Sequence, residues 1–344
     1  MASRETEIDP VVVESLRRRA DERRAGLPPS EGRTALVVQG GGLRSIASCA
    51  TLAALNRLGL TEAFDCVYAV SSGAVNAAYF VTEQAALGVT VYLEDVTDHR
   101  FFNLWRPRKM MDLEFFFDDV VLDLKRHDTE KMVGAATEVR VITTHERTGE
   151  PRWFSSREHP EVDFYAALKA SCSLPVVYPT EVEVDGASYV DGGYWEPLPL
   201  LTPVREALYS DILVAMTRHT GDWYLEGPRL KDHLVTWPLL RLDLSKPVFE
   251  AYKSRGRRYN EALRIVRRGQ DVQGEHQTRV AAVAPDESAQ VGRFEKRPER
   301  LADSAYCCWR KTFELFGVEE GSDRQSFDEI VERSKQRRPE GERP

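Results

Sequence analysis

Residues 34–44 read T-A-L-V-V-Q-G-G-G-L-R, a short apolar run that ends in three glycines. An uninterrupted apolar run bounded by glycine is typical of a buried parallel strand, and the residues that follow, to about Arg57, predict a helix. Residues 66–76, C-V-Y-A-V-S-S-G-A-V-N, repeat this arrangement and continue as a helix to about Ala86. Two consecutive strand–turn–helix units predict an α/β fold with a parallel sheet covered by helices.

Turn signals and composition divide the rest of the chain. Hairpins are predicted around Thr148-Gly149 and Asp185-Gly186, a further buried strand at Ile212–Met216, and a mainly helical pattern from Leu230 to Arg268. The predicted units are a charged N-terminal helix with a linker, a core, a mainly helical extension and a charged tail expected to be disordered. Their bounds are residues 1–33, 34–217, 218–318 and 319–344.

Composition describes a globular chain of 344 residues with 42% hydrophobic residues and a net charge of −8. The acidic balance argues against a nucleic-acid partner, which needs a basic surface. Five scattered cysteines without a C-x-x-C pair favour neither disulfides nor zinc and suit a reducing cytoplasm. The seven histidines lack metal-ligand spacing, so no metal is expected. Cys66–Thr82, the longest stretch without Asp, Glu, Lys or Arg, is too short and polar for a membrane span.

The turn after the first strand holds backbone groups suited to an anion, those of Gly40, Gly41, Gly42 and Leu43. Glycines let the backbone approach a ligand closely, and the unpaired N–H groups of a following helix favour negative charge. The turn therefore predicts a site for a phosphate or a transient oxyanion. A dinucleotide site is excluded because Ser45 occupies the last glycine position of G-x-G-x-x-G and no Walker Lys-Ser/Thr follows.

The turn after the second strand, Ala69–Gly73, has the A-x-S-x-G form of a nucleophile elbow. In such a turn Ser71 exposes its hydroxyl at the strand end, next to a helix N-terminus that favours developing negative charge. Taken alone, the same serine is more simply explained as the N-cap of the helix. Ser72 is the rival nucleophile, but the position of Gly73 favours Ser71.

A carboxylate with two glycines after it, Asp191-Gly192-Gly193, ends a predicted strand 120 residues beyond Ser71. Glycines next to a carboxylate allow it to turn into a site without steric hindrance. Taken alone, this segment is more simply explained as an ordinary Asp-Gly turn.

Together these three segments resemble the patatin-like phospholipases, which carry a glycine-rich oxyanion loop, a G-x-S-x-G elbow and a D-G-A/G motif. A fourth similarity lies between them, where Ala170–Pro175 and then Pro179 resemble the family's A-S-x-A-x-P stretch. The resemblance covers about Thr34 to Thr217. Phe101–Trp105 and Val291–Glu295 are similar to a bacterial branch of the family with an extension after the core.

The resemblance implies a three-layer α/β/α fold with a mostly parallel central sheet and a helical C-terminal extension. It implies a lipid acyl hydrolase that needs no cofactor, in which Ser71 is the nucleophile and Asp191 the base of a Ser–Asp dyad. The backbone of Gly40–Leu43 would bind the oxyanion. Arg44 would orient this loop or meet a lipid phosphate, and a structural ion pair is an equal alternative.

Two departures from the family pattern leave other functions open. Ala69 replaces the first elbow glycine and Ser45 the last glycine of the loop, which would suit a weakly active or inactive lipid-binding protein. An acyltransferase on the same scaffold is the other alternative. Within the enzyme hypothesis, His219 completes the Ser–Asp–His chain order of the α/β-hydrolases, but the turn composition after His219 favours the dyad.

The expected substrate is a lipid or a small ester. Lys253–Arg268 holds seven basic residues and one acid, so it predicts contact with an anionic membrane, with a solvated helix face as the simpler alternative. Phe101–Trp105 and Phe115–Phe117 either line an acyl pocket or pack in the core. The expected location is the cytoplasm, with peripheral contact at the inner face of the membrane.

Overall fold

One mixed sheet of nine strands organises the part of the chain that the computed structural model describes. The described residues are 10–30, 32–97, 99–101, 103, 106, 110–157, 163–175, 177, 178, 180–224 and 243–336. In chain order the strands are β1 (Arg33–Val38), β2 (Cys66–Val70), β3 (Glu138–His145), β4 (Pro151–Ser155), β5 (Val182–Val184), β6 (Ala187–Asp191), β7 (Tyr209–Ala215), β8 (Gln270–Gln273) and β9 (His276–Val283).

The centre of the sheet is parallel. Its order is β5-β6-β3-β2-β1-β7-β9-β8, with β4 also paired to β3. From β3 to β9 every neighbouring pair is parallel, whereas β4, β5, β6 and β8 add antiparallel pairs. All residues of β2 are buried, because helices cover both faces of the strand, and this explains the uninterrupted apolar run in the sequence.

Helices connect these strands. The α-helices of the described residues are α1 (Pro10–Arg24), α2 (Ile46–Arg57), α3 (Ser72–Val81), α4 (Ala85–Thr90), α5 (Thr129–Val133), α6 (Phe164–Cys172), α7 (Leu201–Arg205), α8 (Lys246–Arg268), α9 (Pro298–Leu315) and α10 (Arg324–Gln336). Two π-helical segments lie at Val91–Asp95 and Phe115–Leu124. None of the helices in the described residues has the length and apolar character needed to span a bilayer.

Alternate residues of the central strands face two different cores. Leu36 and Val38 of β1 pack in the larger cluster, with apolar residues of α2, α3, α4, α6 and α9. Ala35 and Val37 face the other way, into a cluster that contains Leu263 of α8. The sheet is therefore covered by helices on both faces, and the predicted three-layer α/β/α fold is confirmed.

The predicted charged helix at the N-terminus is present as α1, but one of its faces is docked on the core, which its charged sequence did not indicate. Val12 and Leu16 are buried, and Arg19 is only 2% exposed. The Nη2 of Arg19 donates to both carboxylate oxygens of Asp65 at 2.6 and 2.7 Å, and Asp65 also accepts the backbone N–H of Thr34. The interleaved charges of the helix concealed its apolar face, and its partner lies 46 residues along the chain.

The described part of the C-terminal extension, predicted over residues 218–318, is mainly helical as expected, but it also adds two strands to the sheet that the sequence did not predict. Strand β9 pairs in parallel with β7, and β8 pairs with β9. A strand at the end of a parallel sheet cannot be recognised from local pattern alone when its partners are distant in sequence. Residues 225–242, the first part of the predicted helical stretch from Leu230, lie outside the described residues, and Lys246–Arg268 is helical as predicted.

The charged tail also differs from expectation, because α10 forms within the stretch predicted to be disordered. Phe327 and Val331 are buried in the larger core, and the ring centroid of Phe327 lies 5.6 Å from that of Trp309. Two apolar residues four positions apart form a helical stripe that the many charges of the tail concealed.

The Arg19–Asp65 pair yields a stability prediction. Asp65→Ala leaves the buried Arg19 guanidinium without its carboxylate, and loss of one partner of a buried ion pair typically costs about 3–5 kcal/mol. We expect urea denaturation to report a loss in this range. Lys131→Ala is the matched control, because Lys131 and Glu83 form an exposed pair at 2.7 Å, and it should change the free energy of unfolding by less than about 1 kcal/mol. Equal effects of both substitutions would contradict the docking of α1 through this pair.

Candidate active site

Strand β3 brings the ends of two other strands together. Val70, the last residue of β2, pairs with Ile142 of β3, and Asp191, the last residue of β6, pairs with the next residue, Thr143. Because Thr143 also pairs with Arg152 of β4 on its other edge, β6 must lie on the same edge of β3 as β2. The two strands therefore meet end to end, and the residue after Val70 faces the end of β6.

Ser71 occupies the sharp turn that the elbow pattern predicts. Its backbone has φ 55° and ψ −140°, a sparsely populated region for a residue with a side chain, and such conformations cost about 1–3 kcal/mol. The N–H of Ser71 donates to Ser171 Oγ at 2.8 Å, and Ser171 Oγ donates to the carbonyl of Ile142 at 2.8 Å. Ser71 makes no N-capping bond from its side chain, so the simpler N-cap explanation is not supported.

Asp191 is the hydrogen-bond partner of the Ser71 hydroxyl. Ser71 Oγ donates to Asp191 Oδ2 at 2.6 Å, and the N–H of Gly193 donates to Asp191 Oδ1 at 2.6 Å. Asp191 is 3% exposed. Burial raises the pKa of Asp191 to about 6, although the bonds from Ser71 and Gly193 act in the opposite direction. The carboxylate is thus more basic than an ordinary aspartate and still ionised at pH 7.

The A-S-C-S-L-P segment holds both residues in place. Ser171 binds the elbow, as described above, and the carbonyl of Ser173 accepts the N–H of Asp191 at 2.7 Å. Sequence reasoning found this segment only as a family likeness and assigned no role to Ser171 or Ser173. Gly192 follows Asp191 and begins the short 3₁₀ turn that returns the N–H of Gly193 to the carboxylate.

Two glycines are required by close approach between the loop and the elbow. A Cβ at Gly40 would lie 2.3 Å from the carbonyl oxygen of Val70 and 2.8 Å from Ser71 Cβ. A Cβ at Gly73 would lie 2.7 Å from the carbonyl oxygen of Val38. Backbone atoms at such distances cannot give way, so both positions accept only glycine.

Within the described structure, backbone N–H groups of the glycine loop donate hydrogen bonds to other groups of the protein. Ser72 Oγ accepts the N–H groups of Gly41 and Gly42 at 3.1 Å each, and the N–H of Leu43 donates to the carbonyl of Arg293 at 3.0 Å. Three of the predicted oxyanion donors therefore have internal acceptors. Leu43 in particular is held by a segment from the C-terminal part of the chain, a contact that local sequence does not reveal.

Ser72, the rival nucleophile, contacts Ser45, and Ser45 and Ala69 are the two departures from the family pattern. Ser72 Oγ lies 2.7 Å from Ser45 Oγ, so Ser45 supports the hydroxyl that holds the glycine loop. Both Ser45 and Ala69 are fully buried. Ala69 lies in β2 between Val38 and Val141 of the neighbouring strands, where its methyl group is part of the core.

His219 lies apart from this pair. Its N–H donates to Gln290 Oε1, its Nδ1 accepts the N–H of Gly221 at 3.2 Å, and it does not line the cavity that contains Ser71. Among the described residues, the groups bonded to the Asp191 carboxylate are Ser71 and Gly193. The arrangement favours the serine–aspartate pair over a triad.

The cavity over Ser71 and Asp191 has an apolar wall, formed by Tyr92, Val96, Phe101, Met111, Leu113 and Phe116. Of the two predicted aromatic stretches, Phe101, Phe116 and Phe117 all pack in the larger core cluster, and Phe101 and Phe116 also line the cavity. Phe102, Leu104 and Trp105 lie outside the described residues.

A basic wall stands in the same cavity and was missed in the sequence apart from Arg44. It consists of Arg44, Arg218, Arg255 and Arg293. Arg255 belongs to the basic stretch predicted to meet a membrane, and Arg258 of the same helix donates from Nε to the carbonyl of Trp195 at 2.6 Å. Part of that basic stretch therefore makes contacts within the protein. Its contact with a membrane stays a prediction.

Asp191 also yields a stability prediction. Its folded-state pKa of about 6 lies above the ordinary value of 3.8, so stability falls as pH rises from about 4 to 6 and the loss is complete above that range. Each pKa unit corresponds to about 1.4 kcal/mol, so the ionised carboxylate costs roughly 3 kcal/mol at pH 8. Urea denaturation should find Asp191→Asn more stable than the wild type by about 2–3 kcal/mol at pH 8 and equally stable at pH 4. An identical difference at both pH values would contradict the raised pKa.

Comparison with known proteins places these features in a family. Residues 36–204 match the model of the family described as patatin-like phospholipase. The "Uncharacterized protein YjjU" of Escherichia coli (strain K12) is 22% identical over 224 residues, which cover 62% of this chain and 62% of that protein. The crystal structure of VipD from Legionella pneumophila aligns with 84% of this chain and 67% of its own, with a TM-score of 0.41 and 11% identity.

The residues matched by the family model include the three segments that form the candidate site. The glycine loop, the elbow at Ser71 and the strand that ends at Asp191 all lie between residues 36 and 204. The predicted family is therefore confirmed: residues 36–204 of this chain form a patatin-like phospholipase domain.

Proposed function

We propose that this protein is a serine acyl hydrolase that cleaves carboxylic ester bonds of lipids, of the phospholipase A, lysophospholipase or esterase type. The observation that carries the proposal is the 2.6 Å hydrogen bond from the Ser71 hydroxyl to the buried Asp191 carboxylate. Family membership supports lipid acyl hydrolysis in general, and the apolar wall beside Ser71 suits an acyl chain.

In the proposed acylation step, Ser71 Oγ attacks the ester carbonyl carbon while its proton moves to Asp191 Oδ2. The leaving alkoxide then takes that proton as the tetrahedral intermediate collapses to an acyl-enzyme. In deacylation a water molecule transfers a proton to Asp191 and attacks the acyl carbon. The bond from that carbon to Ser71 Oγ then breaks, Asp191 returns the proton to Ser71 Oγ, and the carboxylic acid is released. A carboxyl with a pKa of about 6 suits both directions of transfer.

The N–H groups of Gly41 and Gly42 are the proposed oxyanion donors. They already converge on one oxygen, that of Ser72, and in the reaction they would exchange this neutral acceptor for the charged oxyanion. A charged acceptor makes the stronger hydrogen bond, so the exchange favours the transition state. Arg293, whose carbonyl holds Leu43, would fix the far end of the loop.

Variants of the two adjacent serines test the nucleophile. Ser71→Ala should abolish labelling by a fluorophosphonate probe and lower ester hydrolysis about 10³-fold or more, as loss of a nucleophile does elsewhere. Ser72→Ala is the matched control. It should still be labelled and should hydrolyse the ester, because its hydroxyl positions the loop rather than attacking. Labelling that persists in Ser71→Ala and disappears in Ser72→Ala would show that Ser72, and not Ser71, is the nucleophile.

The pH dependence tests the base. Because Asp191 must be ionised to accept a proton, kcat/KM for a short-chain ester should rise with pH up to about 6 and level off above it. Asp191→Asn should lose several orders of magnitude. His219→Ala should stay within about threefold of the wild type and keep the same profile. A loss in His219→Ala as deep as that in Ser71→Ala would instead support the triad.

The same assays separate the alternative functions. Folded protein that neither reacts with the probe nor hydrolyses any ester would identify a lipid-binding protein without turnover. Acyl transfer to an added alcohol in preference to water would identify an acyltransferase, because both reactions share the acyl-enzyme and differ only in the acceptor.

A further inference from the structure

Four arginines from distant parts of the chain converge beside the Ser71–Asp191 pair. Arg44 follows the glycine loop, Arg218 follows β7, Arg255 lies in α8 and Arg293 lies between β9 and α9. All four line the cavity that contains Ser71. The Cζ atoms of Arg218 and Arg255 lie 4.7 and 5.8 Å from the ring centroid of Tyr224. Two guanidinium groups therefore contact the same aromatic ring.

The cluster carries more positive than negative charge. Arg218 pairs at 2.6 Å with Asp222, which lies beside the cavity, and the carboxylate among the described residues that line the cavity is Asp191, which is bonded to Ser71. Four guanidinium groups against two carboxylates leave an excess of two positive charges in the described residues of the site. The Nε of Arg44 is buried and has no hydrogen-bond partner in this part of the chain. Buried charges are normally paired, so the buried Nε of Arg44 and the excess of positive charge beside it suit an anionic ligand.

The ionisation of the neighbouring groups reports the same positive field. Burial, together with the charges of Arg293 and Arg218, lowers the pKa of Arg44 to about 10. Burial alone would raise the pKa of the Tyr224 phenol, but the charges of Arg255, Arg218, Arg293 and Arg44 outweigh it and lower that pKa below its ordinary value. The cavity is therefore strongly attractive to an anion next to the reacting serine.

The two walls of the cavity suit the two ends of one molecule. The apolar wall can take an acyl chain, and the guanidinium groups can take a phosphate through several charge-assisted hydrogen bonds, which are stronger than bonds to a neutral group. A phosphate diester carries one negative charge, whereas a monoester carries up to two at neutral pH and balances the observed excess.

We propose that the site selects acyl esters whose head group is a phosphate monoester, with the phosphate on Arg218, Arg255 and Arg293 and the scissile ester at Ser71. This inference rests on the proposed hydrolase function and adds the substrate class. A phosphocholine head group places a quaternary ammonium beside the same arginines. A monoacylglycerol has no phosphate and leaves the arginines without an anion. Both substrates are therefore disfavoured.

The test compares three substrates with one acyl chain: lysophosphatidate, lysophosphatidylcholine and monoacylglycerol, each below its critical micelle concentration so that no lipid surface takes part. At pH 8 Asp191 is ionised, so loss of nearby positive charge does not alter its protonation. The double variant Arg255→Gln/Arg293→Gln replaces two guanidinium groups with neutral amides. It keeps the hydrogen bond from the backbone N–H of Leu43 to the backbone carbonyl of residue 293. Arg257→Gln, an exposed arginine of α8, is the control for charge.

The wild type and Arg257→Gln should show a kcat/KM for lysophosphatidate at least about tenfold above that for lysophosphatidylcholine. The double variant should lose at least about tenfold on lysophosphatidate and less than about threefold on monoacylglycerol, so that the preference disappears. Equal kcat/KM values for the three substrates in the wild type would overturn the proposal and leave the hydrolase function intact.

A binding experiment decides the proposal even if no ester is hydrolysed. Calorimetry with Ser71→Ala should detect binding of lysophosphatidate at least about tenfold tighter than that of lysophosphatidylcholine, and the two arginine substitutions should remove the difference. Competition by glycerol 3-phosphate or inorganic phosphate alone would indicate a water-soluble ester as the source of the phosphate, and competition by lysophosphatidate alone a lipid. Equal binding of both lysolipids would overturn the proposal.

Discussion

The shared edge of β3 is the constraint on which the site depends. Two strands pair with this edge one after the other, β2 in parallel as far as Ile142 and β6 antiparallel from Thr143. One strand arrives from each direction, so their carboxyl ends face each other across the boundary between these two residues. The serine after β2 and the aspartate that ends β6 meet there, although 120 residues separate them in the sequence. Ser171, bonded to both the elbow and Ile142, fixes the same boundary from a third direction.

This arrangement places two destabilising features at the proposed active site. Ser71 has a backbone conformation that few residues with a side chain adopt, and Asp191 carries its charge almost out of contact with water. Both features lower the stability of the native state, and the parallel sheet with its two helical layers supplies the compensating burial of apolar surface. The cavity repeats the pattern, because like charges are held together beside the reacting groups at a cost that a bound anion would relieve.

The sequence was sufficient for features that depend on local pattern. The apolar runs at Ala35–Val38 and Cys66–Val70, with the turns after them, predicted the parallel sheet, and three short motifs singled out Ser71 and Asp191. What it did not predict depends on pairing between distant segments. The register along β3, the burial of Arg19 against Asp65 and the joining of β9 to β7 all require partners that no local pattern identifies.

The basic wall of the cavity shows the same limit. Arg218, Arg255 and Arg293 stand in three segments whose composition suggested a turn, a solvated or membrane-facing helix and a family likeness, and only the fold brings them to one place. The sequence identified the residues of the glycine loop as candidate oxyanion donors, and that role stays a prediction. The hydrogen bonds of the loop were not predicted, because Ser72 and the carbonyl of Arg293 reach it through the tertiary structure.

We propose that the pairing along β3 aligns Ser71 with Asp191 so that Ser71, and not the adjacent Ser72, is activated. Tandem mass spectrometry of wild-type protein after reaction with a fluorophosphonate tests it most directly, with fragmentation that resolves the two adjacent serines. We expect one adduct, on Ser71, and a rate of adduct formation that falls by orders of magnitude in Asp191→Asn. An adduct on Ser72, or formation on Ser71 at an unchanged rate in Asp191→Asn, would contradict it.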